Sequence, residues 1–279
     1  MIGTGWSQQT GRSETLGFSA ATTGTTTVTY GASNAKGAWS SIGGVTSFDY
    51  NLIEVHGYTN QAPADSFFDV GITVGANTFV IAGDIWINTS GEYGSTNIAL
   101  SIQIPLFIKA GAQLAMRGAK ANINTFQWAH TITGYSNGVG GQRGFSRCRA
   151  LYTPASSVPP LVDSGATANT KGAYTQLVAS SGFTAVALMA GIGTVSIDPV
   201  AASRMAMDLS IGGSGSEWPF FSNFVMCMGP GGDNQMLTAS YPILPVYVPS
   251  GSRIAVRGQS NSTVAAERNF RVGLWGFEP

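Results

Sequence analysis

Charge is the scarcest property of this 279-residue chain: Asp, Glu, Lys and Arg make up only 10% of it, against about 25% in ordinary soluble domains. Fourteen basic residues balance fourteen acidic ones, so the formal charge is zero. A balanced chain offers no concentrated positive field for phosphates, which argues against a nucleic-acid partner. It also lacks the self-repulsion that keeps monomers apart. Long apolar runs are missing as well. The longest candidate, Phe183 to Gly193, is broken by glycine and falls short of the ~18–20 residues that span a bilayer. A soluble chain with no membrane partner is therefore expected. Cysteine is confined to Cys148 and Cys227, which sit at non-equivalent places and read as inert thiols rather than a disulfide. The opening Met1-Ile2-Gly3-Thr4-Gly5-Trp6-Ser7 has neither the basic nor the apolar region of a signal peptide, so synthesis in a reducing cytosol is expected.

What the chain does contain is a duplication. Ile104-Pro105-Leu106-Phe107-Ile108, followed by Lys109-Ala110-Gly111 and Leu114-Ala115-Met116-Arg117-Gly118, returns as Leu244-Pro245-Val246-Tyr247-Val248, Pro249-Ser250-Gly251 and Ile254-Ala255-Val256-Arg257-Gly258. The Gly31–Trp39 stretch, with Lys36-Gly37-Ala38-Trp39, recurs at Gly165–Tyr174 with Lys171-Gly172-Ala173-Tyr174. Val70–Gly75 aligns with Met207–Gly212, an offset of 137. The order is kept throughout, and the period is far longer than the ~20–50 residues of a solenoid repeat, so two copies of one small domain are predicted.

Both copies alternate with period two. Leu114 and Met116 face one way, Ala115 and Arg117 the other; Ile254 and Val256 alternate with Ala255 and Arg257. Such alternation marks strands buried on one face. Thr, Val, Ile and aromatics fill these runs, while Gly, Asn, Ser and Pro punctuate them, and no helical stripe carries caps at both ends. The predicted fold is all-β: two tandem antiparallel β-sandwiches of jelly-roll type. Residues 1–26, rich in Thr, Gly and Ser, read as an extended N-terminal arm without a counterpart before the second copy, and Trp6 within it reads as a docking residue. The first sandwich spans 27–135 and the second 165–279. Between them, 136–164 is a Gly-, Arg- and Pro-bearing linker. Hairpin tips are expected at Gly91-Glu92-Tyr93-Gly94 and Gly231-Gly232-Asp233-Asn234.

Catalytic signals are sparse. Of the two histidines, His56 shares a strand face with Glu54 but lacks a third ligand nearby, so no metal site is predicted. His130 is expected near a strand surface. Neither sits in a nucleophile-elbow context. The carboxylate pairs Asp65 with Asp69, Asp49 with Glu54, and Asp84 with Glu92 are the candidates for hydrolase chemistry, yet none recurs in the second copy. No catalytic residue, metal or cofactor is predicted, and the chain is expected not to be an enzyme. Binding is the better reading. Trp86, Tyr93 and Trp218 are the candidates for stacking on sugar rings. Arg117 and Arg257, kept at one repeat position, point to a fixed ion pair, an interface contact or a scaffold role. Arg143, Arg147 and Arg149, with no acid among them, point to a neighbouring subunit, an acidic polymer or a solvated linker.

The aliphatic-Pro-aliphatic-aromatic-aliphatic strand, Gly turn and aliphatic-Ala-aliphatic-Arg-Gly strand resemble the tandem β-sandwich proteins of tailed bacteriophages and gene transfer agents. The resemblance covers residues 27–279. It implies a head spike, decoration or tail appendage on the virion surface, assembled in the bacterial cytoplasm as a homo-oligomer beside other virion proteins (capsid, spike or tail subunits), with host surface polysaccharide as a further partner. A soluble pair of polysaccharide-binding or carbohydrate-active modules is the alternative.

Overall fold

The computed structural model describes residues 11–19, 24–28, 30–31, 35–59, 66–87, 98–120, 128–136, 144–152, 159–194, 203–228 and 243–279. Trp6, Asp65, Glu92, Tyr93, Arg143 and both expected hairpin tips lie outside them.

The first copy begins with β1 (Ser13–Leu16), β2 (Phe18–Ser19), β3 (Gly24–Val28), β4 (Tyr30–Gly31), β5 (Ser40–Val45) and β6 (Leu52–Thr59). It continues with β7 (Ser66–Val74), β8 (Asn77–Ile87), β9 (Ile98–Ile104), β10 (Gln113–Lys120) and β11 (Trp128–Tyr135). One of its sheets has the order β2-β3-β11-β6-β9, with β1 also on β11; the other runs β8-β7-β10, with β4 and β5 on β10. The second copy comprises β12 (Arg147–Ala150), β13 (Leu161–Asp163), β14 (Thr175–Val178), β15 (Ala187–Thr194) and β16 (Ser203–Ile211). Then come β17 (Trp218–Met228), β18 (Ile243–Leu244), β19 (Ile254–Ser260) and β20 (Asn269–Glu278). Its sheets are β12/β13-β20-β15-β18 and β14-β19-β16-β17. Each copy is thus a two-sheet antiparallel β-sandwich, and the fold is all-β.

The duplicated block folds alike in both copies. Gly111 and Gly251 take φ of 80° and 85° in the turn before the second strand, a region where a Cβ is strained. The block's last glycine meets an aromatic ring. A Cβ on Gly118 would lie 2.3 Å from the Tyr30 ring, and one on Gly258 2.5 Å from Phe270. These strands can therefore pass the rings only as glycine.

The register corrects one alignment. Arg117 stands opposite Asp69, and Arg257 opposite Asp208, so this strand pair is offset by 139, not 137. A slip of two residues leaves every side chain on its own face, so the apolar pattern alone could not reveal it.

The arm and the linker correct another expectation. Segment 1–26 supplies β1 and β2, with β1 lying antiparallel on β11 (Leu16 opposite Ile132). Segment 136–164 supplies β12 and β13, and β12 lies in the same way on β20 (Cys148 opposite Phe277). In each copy a second strand, β3 or β13, continues along that same neighbour. The two segments are therefore counterparts, and the arm does have an equivalent. Both are too short and polar for periodicity to register them; the neighbouring ladder makes them strands.

β12 also pairs in parallel with β8 through Cys148 and Ala82. One ten-stranded sheet thus runs through both sandwiches. The first core crosses the junction: Cys148, Tyr152, Met189, Trp275 and Phe277 join the cluster built on Trp86, Phe68 and Ile85. Phe145 stacks on Phe277 at 4.7 Å. Trp275 Nε1 and the Tyr152 hydroxyl both donate to the Asp84 carbonyl at 3.0 Å. A second core, around Leu209, Val256, Phe270 and Leu274, lies inside the second sandwich alone.

Candidate functional site

Each sandwich carries the same ionic cluster on the outer face of its second sheet. In the first, the Asp69 carboxylate on β7 is almost fully enclosed, with 4% of its side chain exposed. Lys36 Nζ donates to Asp69 Oδ1 at 2.7 Å, Arg117 Nε to Oδ2 at 2.9 Å, and the Asp84 N–H to Oδ1 at 2.8 Å. The Arg117 guanidinium lies over the Trp39 ring, 4.5 Å from its centroid.

In the second, Asp208 on β16 receives Lys171 at Oδ1, Arg257 Nε at Oδ2 (2.9 Å) and the Asn223 N–H at Oδ1 (2.9 Å). Arg257 lies 4.7 Å from the centroid of Tyr174. Asp84 and Asn223 both adopt the left-handed conformation, φ 54° and 56°, which aims the N–H at the buried carboxylate; Asp and Asn tolerate that region better than most residues. Burial alone would raise the pKa of Asp208. The hydrogen bonds from Lys171, the Asn223 N–H and Arg257 outweigh it and hold the group below its ordinary value. A carboxylate this enclosed needs that many donors to stay ionised.

Arg117 and Arg257 thus each anchor a buried ion cluster beside an aromatic wall. Of the residues that complete it, Asp69 was singled out from sequence only as a carboxylate partner of Asp65, and Asp208, Lys36 and Lys171 were not singled out. The lysines stood in the matched blocks, so that signal was present, whereas the two-residue slip separated the aspartates. The clusters are not alike in cover. Above the first stand Arg147 and Arg149 of β12; Arg149 also pairs with Glu278 at 2.9 Å and lies over Phe183. The second is not flanked by any such strand among the described residues.

The aromatic candidates separate. Trp86 is fully buried in the first core and cannot serve as a sugar platform; its apolar neighbours on β7 and β8 claim it. Trp218 is 69% exposed at the start of β17. Beside it Arg253 bonds Glu217 and Gln176 at 2.9 and 3.0 Å. β17 contains no charged residue. Val225 is also well exposed, Phe220, Phe221 and Phe224 are partly buried, and Phe221 and Phe224 contact at 5.4 Å. β16 is its only strand neighbour, so among the described residues β17 is an edge, whereas its counterpart β8 carries β12.

His130, expected near a surface, is fully buried. Its Nδ1 donates to the His56 carbonyl at 3.2 Å, so its Nε2 accepts from the Tyr30 hydroxyl at 3.0 Å and the ring is neutral. Burial pushes its pKa down to about 4. Glu54 lies 3.8 Å from His56, and Ser101 and Tyr135 donate to its oxygens. No group of three metal-ligating side chains occurs among the described residues. Glu92, the expected carboxylate partner of Asp84, lies outside the described residues; within them Lys36 bonds both Asp69 and Asp84. Cys148 is a free thiol, and burial raises its pKa.

The chain matches no protein-family model and no curated protein sequence. Among solved structures it is similar to the tandem CBM22-1-CBM22-2 domain of Paenibacillus barcinonensis Xyn10C, at 14% identity and TM-score 0.25, over 98% of this chain and 92% of that one. It is also similar to PNGF-II, at 10% identity and TM-score 0.35, over 86% of this chain and 59% of that one. An archaeal virus turret protein with a triple jelly-roll fold gives 9% identity and TM-score 0.25, over 97% and 59%. Similarity at this level bears on no function.

Proposed function

We propose that the chain is a non-enzymatic structural subunit of a larger assembly, of the kind found on the surface of phage-like particles, joined to its neighbours through the open β17 edge. The observation that carries this reading is the eleven-residue, uncharged, aromatic-rich β17, which pairs with β16 on one side and has no second strand neighbour among the described residues. Exposed apolar edges recruit another chain unless they are charged, bulged or covered; register shifts near Phe221 and Pro219 interrupt β17, and the regularly paired stretch that carries Val225 is Phe224–Met228. The two sandwiches joined through β12 suit a rigid building block, and the zero net charge supports close association. Light scattering on the native protein tests it. A closed oligomer that Val225→Lys (V225K) breaks into monomers is the expected result. A monodisperse wild-type monomer that joins no particle overturns it.

Trp218 favours a second reading, a polysaccharide-binding surface. The exposed indole supplies an apolar wall, and Glu217, Arg253 and Gln176 supply polar groups nearby. Glycan-array binding that Trp218→Ala removes, with the native mass unchanged, would establish it over the first.

A further inference from the structure

The junction between the sandwiches holds an open cleft of about 420 Å³ above the first ionic cluster. Its charged lining is Lys36, Arg117, Arg147 and Arg149 against Asp69 and Asp84, four cations facing two acids. The acids are committed. Asp69 takes Lys36 and the Asp84 N–H at one oxygen and Arg117 at the other, and Asp84 Oδ1 lies 2.8 Å from Lys36. Arg149 is balanced by Glu278 from outside the lining. Arg147 is not balanced: it forms no ion pair in the described structure, and its Nε is buried without a hydrogen-bond partner. A buried guanidinium N–H left unpaired is costly, and a cation in a partly enclosed cleft attracts a counter-charge more strongly than one in open water. Arg117 adds capacity, since its bond to Asp69 uses one of five N–H donors.

We propose that this cleft is an oxyanion-binding site, with the guanidinium of Arg147 as its principal donor and Arg117 and Lys36 supplying the surrounding positive field. The ligand is a carboxylate or phosphate-type group, because planar guanidinium forks match both. The site belongs to the junction. The second cluster repeats the Lys, Asp and Arg, but β12 alone brings Arg147 and Arg149, so one site per chain is expected. It does not depend on the β17 edge, so oligomer formation and anion binding can fail separately.

Calorimetric titration of the full chain with inorganic phosphate, and separately with a glucuronate-containing oligosaccharide, tests the proposal. Saturable binding at one site per chain is expected from at least one of them. Phosphate alone would assign the site to small free anions, and the uronate alone to acidic saccharide. Arg147→Gln (R147Q) should weaken it about tenfold or more, the worth of a charge-assisted bond. Arg204→Gln, a charge removed from β16, should leave it unchanged. In case R147Q does not fold, the arginine Nε–H resonances of the unmutated protein offer an independent reading, since Arg147 should shift with phosphate and Arg253 should not. No binding of either ligand, or binding that R147Q retains in folded form, overturns the proposal.

Discussion

The two ionic clusters are one device in two settings. Both seat a buried aspartate between a lysine and an arginine, both back the arginine with an aromatic ring, and both close with an N–H from a left-handed residue. They differ in that residue, Asp84 in the first and Asn223 in the second, and in what lies above. The first is overhung by β12 and its two arginines, and there the Asp84 carboxylate bonds Lys36. The second faces no such strand among the described residues, and a neutral amide suffices. The duplication thus kept the part that holds each sheet's strands together and varied the part that meets a neighbour.

The largest effect should come from breaking the junction that the first core alone crosses. Trp275 is fully buried across the junction and bonds the Asp84 carbonyl. Trp275→Ala should cost about 3–5 kcal/mol, and in urea the variant should unfold in two separate transitions as the sandwiches uncouple. Next, Asp208→Asn should cost about 2–3 kcal/mol. Removing one member of a buried ion cluster costs about 3–5 kcal/mol, reduced here because Lys171 and Arg257 remain partly exposed. Asp69→Asn should cost as much or more, because it strands cations beneath β12 that have no other buried carboxylate. Shifts in urea midpoint measure both.

Acid offers a third way to separate the copies, because His130 has no histidine counterpart: the chain's only other histidine is His56. Its folded pKa lies near 4, below the ordinary 6.5. The stability it contributes is therefore complete above about pH 6.5 and is lost as pH falls toward 4, about 3 kcal/mol in all. Melting temperatures should drop across that window, and His130→Gln should flatten the slope. The depressed pKa of Asp208 acts lower, since its stabilisation is lost only as pH falls through the folded value. The smallest effect sharpens the comparison. Asp84→Asn makes the first cluster resemble the second while keeping a residue suited to φ 54°. It should cost about 1 kcal/mol or less by urea midpoint and strengthen phosphate binding in the cleft.

Much of the fold was legible because duplication doubles every signal. The alternation around Leu114-Ala115-Met116-Arg117 and Ile254-Ala255-Val256-Arg257 announced paired strands, and two arginines at one repeat position announced a shared task. The aspartates opposite them were hidden by a shift that preserves facing. β12 was hidden because four residues, two of them arginine, carry no period; its neighbours β8 and β20 make it a strand. Trp86 and Trp218 show the limit of residue type. Each is a tryptophan near polar turn residues, yet one sits in a double-covered sheet and the other on an open edge, and exposure follows from strand order. His130 was misplaced for the same reason, since the ring of Tyr30 that shelters it comes from 100 residues away.

The place of β12 within the sheet has a mechanical consequence. Because that segment is laddered to β20 over four residues and pairs with β8 at Cys148 and Ala82, a load on one sandwich reaches the other through hydrogen bonds and packed rings rather than through a slack tether. The chain transmits torque as well as tension.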